Sequence, residues 1–149
     1  MFRGRFFHTV DPKGRLSIPS RFRDLLRDNF GNDLVVIPND DTSCVQVYPL
    51  PEWELLEHKI GERSPFDLEA KMLARLFMSR ARESTIDQAG RILIPPEFRA
   101  QAGLNKEVMV LGGGLRLFEV WDRARFDHYE LTHQREVPGL FGKMSGQGG

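Results

Sequence analysis

The sequence predicts an α+β chain of two tandem repeats related by pseudo-symmetry, with helices flanking a core of short strands. Three observations carry that reading. Residues 11–23 align with residues 87–99 at an offset of 76, and Asp11/Asp87, Gly14/Gly90, Arg15/Arg91, Ile18/Ile94, Pro19/Pro95, Phe22/Phe98 and Arg23/Arg99 are identical pairs. Residues 35–37 and 45–48 align with 108–110 and 118–121 at an offset of 73, which also sets Trp53 on Phe126. The offset changes around Asn29, Gly31 and Asn32, turn-forming residues in a place where a loop absorbs a difference in length. Two copies are too few for a solenoid, so the repeats form a pair.

Each element follows from local chemistry. A strand over residues 6–10 enters Asp11-Pro12-Lys13-Gly14, which has Asp, Pro and Gly at the first, second and fourth positions of a type I turn. The Asp side chain caps such a turn, Pro presets φ, and Gly relaxes the exit. A second strand over 15–18 stops at Pro19, and Ser20 is the expected N-cap of a short helix to about Asn29. Strands over 35–37 and 45–48 follow, joined through 39–43, and a closing helix begins near Pro51. The second copy repeats the order: strand 84–86, turn 87–90, strand 91–94, and a helix with Pro96 in its first turn. Its last two strands join through Gly112-Gly113-Gly114, and its closing helix begins near Asp122.

Between the copies, Ser64 is the expected N-cap of a linking helix over 64–82, with Pro65 first and Asp67 three on. Leu68, Met72 and Leu76 recur at helical spacing and make one apolar face, with Lys71, Arg75 and Arg82 on or near another. Residues 138–149 contain six Gly or Pro in twelve and predict a disordered tail. The organisation is thus repeat one at 5–52, helical linker at 53–80, repeat two at 81–124, closing helix at 125–137 and tail at 138–149.

Composition narrows the function classes. With 149 residues, 40% apolar and 28% charged, the chain can bury a core. No apolar run approaches a membrane span, and residues 1–10 lack the apolar stretch of a signal peptide, so a cytoplasmic protein is expected. Net charge is zero, but residues 1–27 carry seven cations against two anions, and residues 28–67 two against nine. Sixteen of the 21 cations are arginine, which suits bidentate contact with phosphate or guanine. A basic edge on an otherwise acidic body can hold a polyanion locally.

Enzyme and metal chemistry find no constellation. Asp11 and Asp87 lack a nucleophile or a convergent polar set, and turn capping accounts for them. His8, His58, His128 and His133 are scattered, and the five-residue gap of the last pair does not share a helical face. Gly112-Gly113-Gly114 lacks the Gly-Lys-Ser/Thr of a phosphate loop and is read as a hairpin. Cys44 alone cannot form an internal disulfide, and a packed thiol is expected. Trp53 and Phe126 are expected to anchor their helices to the sheet. No cofactor, metal, membrane or small-molecule substrate is expected.

Arg15 and Arg91 have two compatible roles: a structural ion pair with Asp11 and Asp87, or an outward guanidinium oriented by that aspartate. Lys13 at its turn position is a solvated lysine by default. Arg3 and Arg5 add charge ahead of the first turn. The copies differ in that Lys13 and Arg21 stand where copy two has Ala89 and Glu97, so copy one is the more basic. Arg23 and Arg99 recur at one helix position, and an architectural role is expected for them.

The doubled Asp-x-x-Gly-Arg-(x)3-Pro-(x)2-Phe-Arg pattern resembles the MraZ family of bacterial proteins, built from two SpoVT-AbrB-type repeats. Met1-Phe2-Arg3-Gly4, the run from Tyr48 to Trp53, the run from Gly103 to Met109 and Phe118-Glu119-Val120-Trp121 resemble it too. The match spans residues 1 to about 130. The resemblance implies swapped-hairpin AbrB-like repeats around a β-barrel-like core, one chain doing the work of an intertwined dimer. It implies a sequence-specific regulator, cytoplasmic and nucleoid-associated, on repeated promoter boxes upstream of the division and cell-wall gene cluster, its own gene included. It also implies a ring-like homo-oligomer bound to double-stranded DNA. The implied DNA-binding residues are Arg15 and Arg91, to which copy-one charge adds Lys13, Arg3 and Arg5, with Asp11, Gly14, Asp87 and Gly90 shaping the turns. Two alternatives stand beside this: a ring-forming scaffold with incidental DNA contact, and an antitoxin-like DNA-binding protein.

Overall fold

Residues 1–146 are described by a computed structural model of the chain. Repeat one contributes strands β1 (Arg3–Thr9), β2 (Arg15–Ser17), β3 (Asp33–Pro38) and β4 (Val45–Pro49), with helices α1 (Ser20–Asn29) and α2 (Leu50–Gly61). Helix α3 (Leu68–Leu76) and a 3-10 turn (Met78–Arg80) lead to repeat two. Its strands are β5 (Arg82–Thr85), β6 (Arg91–Leu93), β7 (Glu107–Gly113) and β8 (Phe118–Asp122), with helices α4 (Pro96–Gln101) and α5 (Arg123–His133). After a second 3-10 turn (Gln134–Glu136) comes α6 (Val137–Gly146).

The strands assemble across the repeats. Six of them form an antiparallel sheet in the order β1-β7-β8-β4-β3-β5, and β2 pairs with β6 in a separate ribbon. Exchange the repeats and the order is unchanged, which is the pseudo-two-fold symmetry that the sequence repeat predicts. Among the described residues, β3–β4 and β7–β8 are the strand ladders within a repeat, apart from the single Val10–Leu16 bridge; β1–β7, β3–β5, β4–β8 and β2–β6 all join one repeat to the other. Neither repeat alone therefore satisfies the backbone of its own strands.

The sheet is not the barrel-like core expected from the sequence. β1 and β5 are its two edges, unpaired with each other among the described residues. The strands that continue from those edges, β2 and β6, leave the sheet at the Asp-to-Gly turns and pair together instead. Closure would need them in the same hydrogen-bonded layer.

Burial follows the period of two. Leu16 and Ile92 are paired in register and buried, so their neighbours Arg15, Ser17, Arg91 and Leu93 face outward. Ile18, Ile94, Phe22 and Phe98, all equivalent pairs, complete the core beneath the ribbon with Phe2, Leu26 and Phe118. Trp53 packs α2 on Val35 and Ile37, while Phe126 packs α5 on Met109 and Trp121, the anchoring role expected of both. Cys44 is wholly buried, and that burial, with Glu119 nearby, pushes its thiol far above the ordinary range.

Local details differ from expectation in instructive ways. Pro19, not Ser20, occupies the cap position of α1, and no side chain caps that helix. The linking helix starts later than Ser64: Asp67 is its cap and accepts from the Ala70 amide, because Ser64 closes a turn by accepting from the Phe66 amide. Its apolar face is left exposed at Leu68, Met72, Leu73 and Leu76. The tail region beyond residue 137 is helical in α6 with no buried residue, and residues 147–149 lie outside the described part. No helix among the described residues is long and apolar enough to cross a membrane.

Candidate nucleic-acid interface

Both Asp-to-Gly turns close identically. The Gly14 amide donates to the Asp11 carbonyl at 2.9 Å, and the Gly90 amide to that of Asp87 at 3.0 Å. The Asp11 Oδ1 accepts the Lys13 and Arg15 amides, both at 2.9 Å, while Oδ2 accepts Arg15 Nε at 2.7 Å. Asp87 repeats this with the Ala89 and Arg91 amides at 2.9 Å and Arg91 Nε at 3.1 Å. The aspartate therefore does both jobs foreseen for it: it caps the turn and fixes the arginine stem. Gly14 and Gly90 adopt φ of +87° and +77°, a region that a side chain disfavours.

The ribbon sets the two turns at its opposite ends and the two arginines on one face. Arg15 lies opposite Leu93, and Arg91 opposite Ser17. The two arginines are thus diagonal neighbours on the exposed face, with Cα atoms roughly 7–8 Å apart by ladder geometry. Each uses Nε on its aspartate, and the terminal Nη groups have no acceptor among the described residues. A pair of guanidinium forks on a two-stranded ribbon is a shape that the major groove of DNA admits. Lys13 is exposed on the first turn, whereas Ala89 holds its place on the second.

Arg3 and Arg5 do not join this cluster. The turn is tied to the far end of β1 by the Val10–Leu16 bridge. Arg3 opens the strand, about 20 Å from Thr9 at the usual rise per residue. Arg5 Nη1 sits 2.7 Å from Glu130 Oε2, and its guanidinium lies over the Phe126 ring. In repeat two Glu97 pairs with Arg82 at 3.0 Å, while the equivalent Arg21 is exposed. Lys106, within the run from Gly103 to Met109, is a further cation beside the first turn. It lines a cleft of about 530 Å³ with Asp11, Pro12 and Arg99, and no repeat motif marks it.

Capping sets the acid response of the turns. The Arg15 amide holds the Asp11 carboxyl below its ordinary range, its guanidinium adding to the effect, and Arg91 does the same for Asp87. A folded value below the unfolded one stabilises the fold above the unfolded pKa of about 3.9, and the effect is lost as pH falls through the folded value. Asp11→Asn should therefore melt below the wild type at neutral pH, and the gap should shrink under about pH 4. Thermal melting across pH checks this; a gap independent of pH would show that the charge of Asp11 does not stabilise the turn.

Comparison with known proteins agrees with the repeat. The family model described as "MraZ protein, putative antitoxin-like" matches residues 1–76 and again 77–137. A protein of Escherichia fergusonii named Transcriptional regulator MraZ is 43% identical over 124 residues, covering 83% of this chain and 81% of that one. One of the same name from Nitrosospira multiformis is 41% identical over 127 residues, 85% of each chain. Another from Escherichia coli (strain K12 / DH10B) is 42% identical over 140 residues, covering 94% and 91%.

Proposed function

The chain belongs to the MraZ family, and we propose that it is a sequence-specific DNA-binding regulator of transcription whose reading surface is the β2–β6 ribbon. The observation that carries this is the pair of half-exposed arginines on the ribbon's outer face, each with Nε fixed on its aspartate and its terminal groups without an acceptor among the described residues. Arg15 and Arg91 reach base edges or phosphates, Lys13 a phosphate beside the first turn, and the more basic copy one binds more strongly. Arg3 and Arg5 are flanking contacts at most: Arg5 must leave Glu130 to take part.

The targets in this reading are repeated boxes upstream of the division and cell-wall gene cluster, with the protein's own gene among them, on the nucleoid. Residues 5–52 and 81–124 are the two swapped-hairpin AbrB-like repeats, joined through 53–80 and closed by 125–137. The exchange-symmetric strand order supports that assignment. Ring-like self-association belongs to the same proposal, supported by the apolar faces that α3 and α6 leave exposed. One subunit presents few cations, so subunits on neighbouring boxes would gain from effective concentration.

The test is fluorescence anisotropy with DNA from upstream of the protein's own gene, titrated at several salt concentrations. The logarithm of the affinity should fall with the logarithm of salt by about 0.9 per phosphate contact. A flat salt dependence would contradict binding by these cations.

A further inference from the structure

The turn glycines are buried although the turns lie on the surface, and what buries each comes from the other repeat. A Cβ placed on Gly14 would stand 2.8 Å from the Ile94 carbonyl oxygen and 3.0 Å from Arg99 Cζ and Nε. One placed on Gly90 would stand 2.5 Å from Arg23 Nη1 and 2.7 Å from its Cδ. The backbone is crossed in the same sense: the Ile94 amide donates to the Gly14 carbonyl at 2.8 Å, and the Ile18 amide to that of Gly90 at 2.9 Å. Arg99 Nε also donates to the Ile94 carbonyl at 3.2 Å, which locks its guanidinium against the first turn.

We propose that Arg23 and Arg99 are positioning residues that act across the repeats, Arg99 of α4 holding the turn that carries Arg15, and Arg23 of α1 holding the turn that carries Arg91. The proposal rests on the DNA-reading assignment of those turns. Its physical content is a planar guanidinium laid over a glycine that has no side chain to keep it away. Lysine keeps the charge and the stem but lacks the planar fork. The arrangement makes the two arginines depend on opposite halves of the chain, so an error in one repeat is felt at the turn of the other.

Hydrogen exchange on the full chain without DNA gives the first readout. Arg99→Lys should speed exchange of the Lys13, Gly14 and Arg15 amides by about three- to tenfold, the loss of roughly one net hydrogen bond. The Ala89, Gly90 and Arg91 amides should keep the wild-type rate. The Arg23 guanidinium packs over Gly90 without a side-chain hydrogen bond among the described residues, so Arg23→Lys should speed the second turn's amides and leave the first turn's unchanged. Melting temperatures confirm that both variants fold; where one does not, Arg99→Gln or Arg23→Gln replaces it.

The second readout is a double-mutant cycle in DNA binding, using the fragment from upstream of the protein's own gene. Arg99→Lys should couple to Arg15→Ala and be additive with Arg91→Ala, though Arg91 is far nearer to it in sequence. Unchanged exchange at the first turn with additive effects throughout would overturn the proposal. Coupling of Arg99 to Arg91 instead of Arg15 would overturn it as well. Arg15→Ala binding like the wild type, with the crossed exchange pattern intact, would overturn the DNA-reading assignment alone.

Discussion

Arg15→Ala is expected to weaken binding to promoter DNA by about 5- to 150-fold, the equivalent of ~1–3 kcal/mol for a good side chain-to-base contact. The size follows from geometry. Asp11 accepts a hydrogen bond from Arg15 Nε and fixes the stem, so the outer edge of the fork is presented with little freedom left to lose. Arg91→Ala should follow the same direction with a smaller loss, because Ala89 and the Glu97–Arg82 pair leave that turn less basic. If the contact is to guanine, sequence preference relaxes along with affinity; if to phosphate, affinity falls evenly across sequences and the salt slope drops by about one. Titration of native and scrambled fragments separates these outcomes. Wild-type affinity and preference in Arg15→Ala would remove Arg15 from the interface.

Phe2→Ala is expected to lose about 3–5 kcal/mol of stability, as for a buried phenylalanine in a close-packed core. Phe2 is wholly buried, and its ring centroid lies 5.0 Å from that of Phe22 and 5.2 Å from that of Phe118. Its backbone is held too: the Phe2 amide donates to the Leu115 carbonyl at 3.0 Å, and its carbonyl accepts from Gly114 at 2.6 Å. Gly112 permits this approach, since a Cβ there would stand 2.6 Å from the Phe2 carbonyl carbon. A domain of this size commonly has 5–15 kcal/mol in total, on the order of a few times the loss, so the variant should be close to unfolding at 37 °C. Urea denaturation measures it. A loss under about 1 kcal/mol would show that the N-terminal segment is not built into the core.

The duplicated turn was the most legible feature, because turn chemistry is local. Asp, Gly and the following Arg each have a role within five residues, and the structure assembles them as the spacing implies. The pseudo-symmetry was legible for the same reason: Trp53 and Phe126 anchor equivalent helices, although strand pairing matches Val35 with Met109, one residue off the alignment of 35–37 with 108–110. Strand partners were not. A period of two tells which face of a strand is buried but not whether the sheet closes, and β1 and β5 remain edges. Phe2 lies outside both aligned blocks, so nothing in the repeat marks it as core. Ser64 and Asp67 are both competent caps three residues apart, and the choice between them depends on the turn that Ser64 also forms. Arg3 and Arg5 looked like neighbours of the turn by sequence distance, yet an extended strand carries them away from it.

The ratio of affinities for native and scrambled DNA, measured at one salt concentration for the wild type and for Arg15→Ala/Arg91→Ala together, tests the central claim most directly. The ribbon account predicts a clear wild-type preference for the fragment from upstream of the protein's own gene, and a ratio near one for the double variant. A double variant that is folded and keeps the wild-type ratio would contradict it and place the reading surface elsewhere on the molecule.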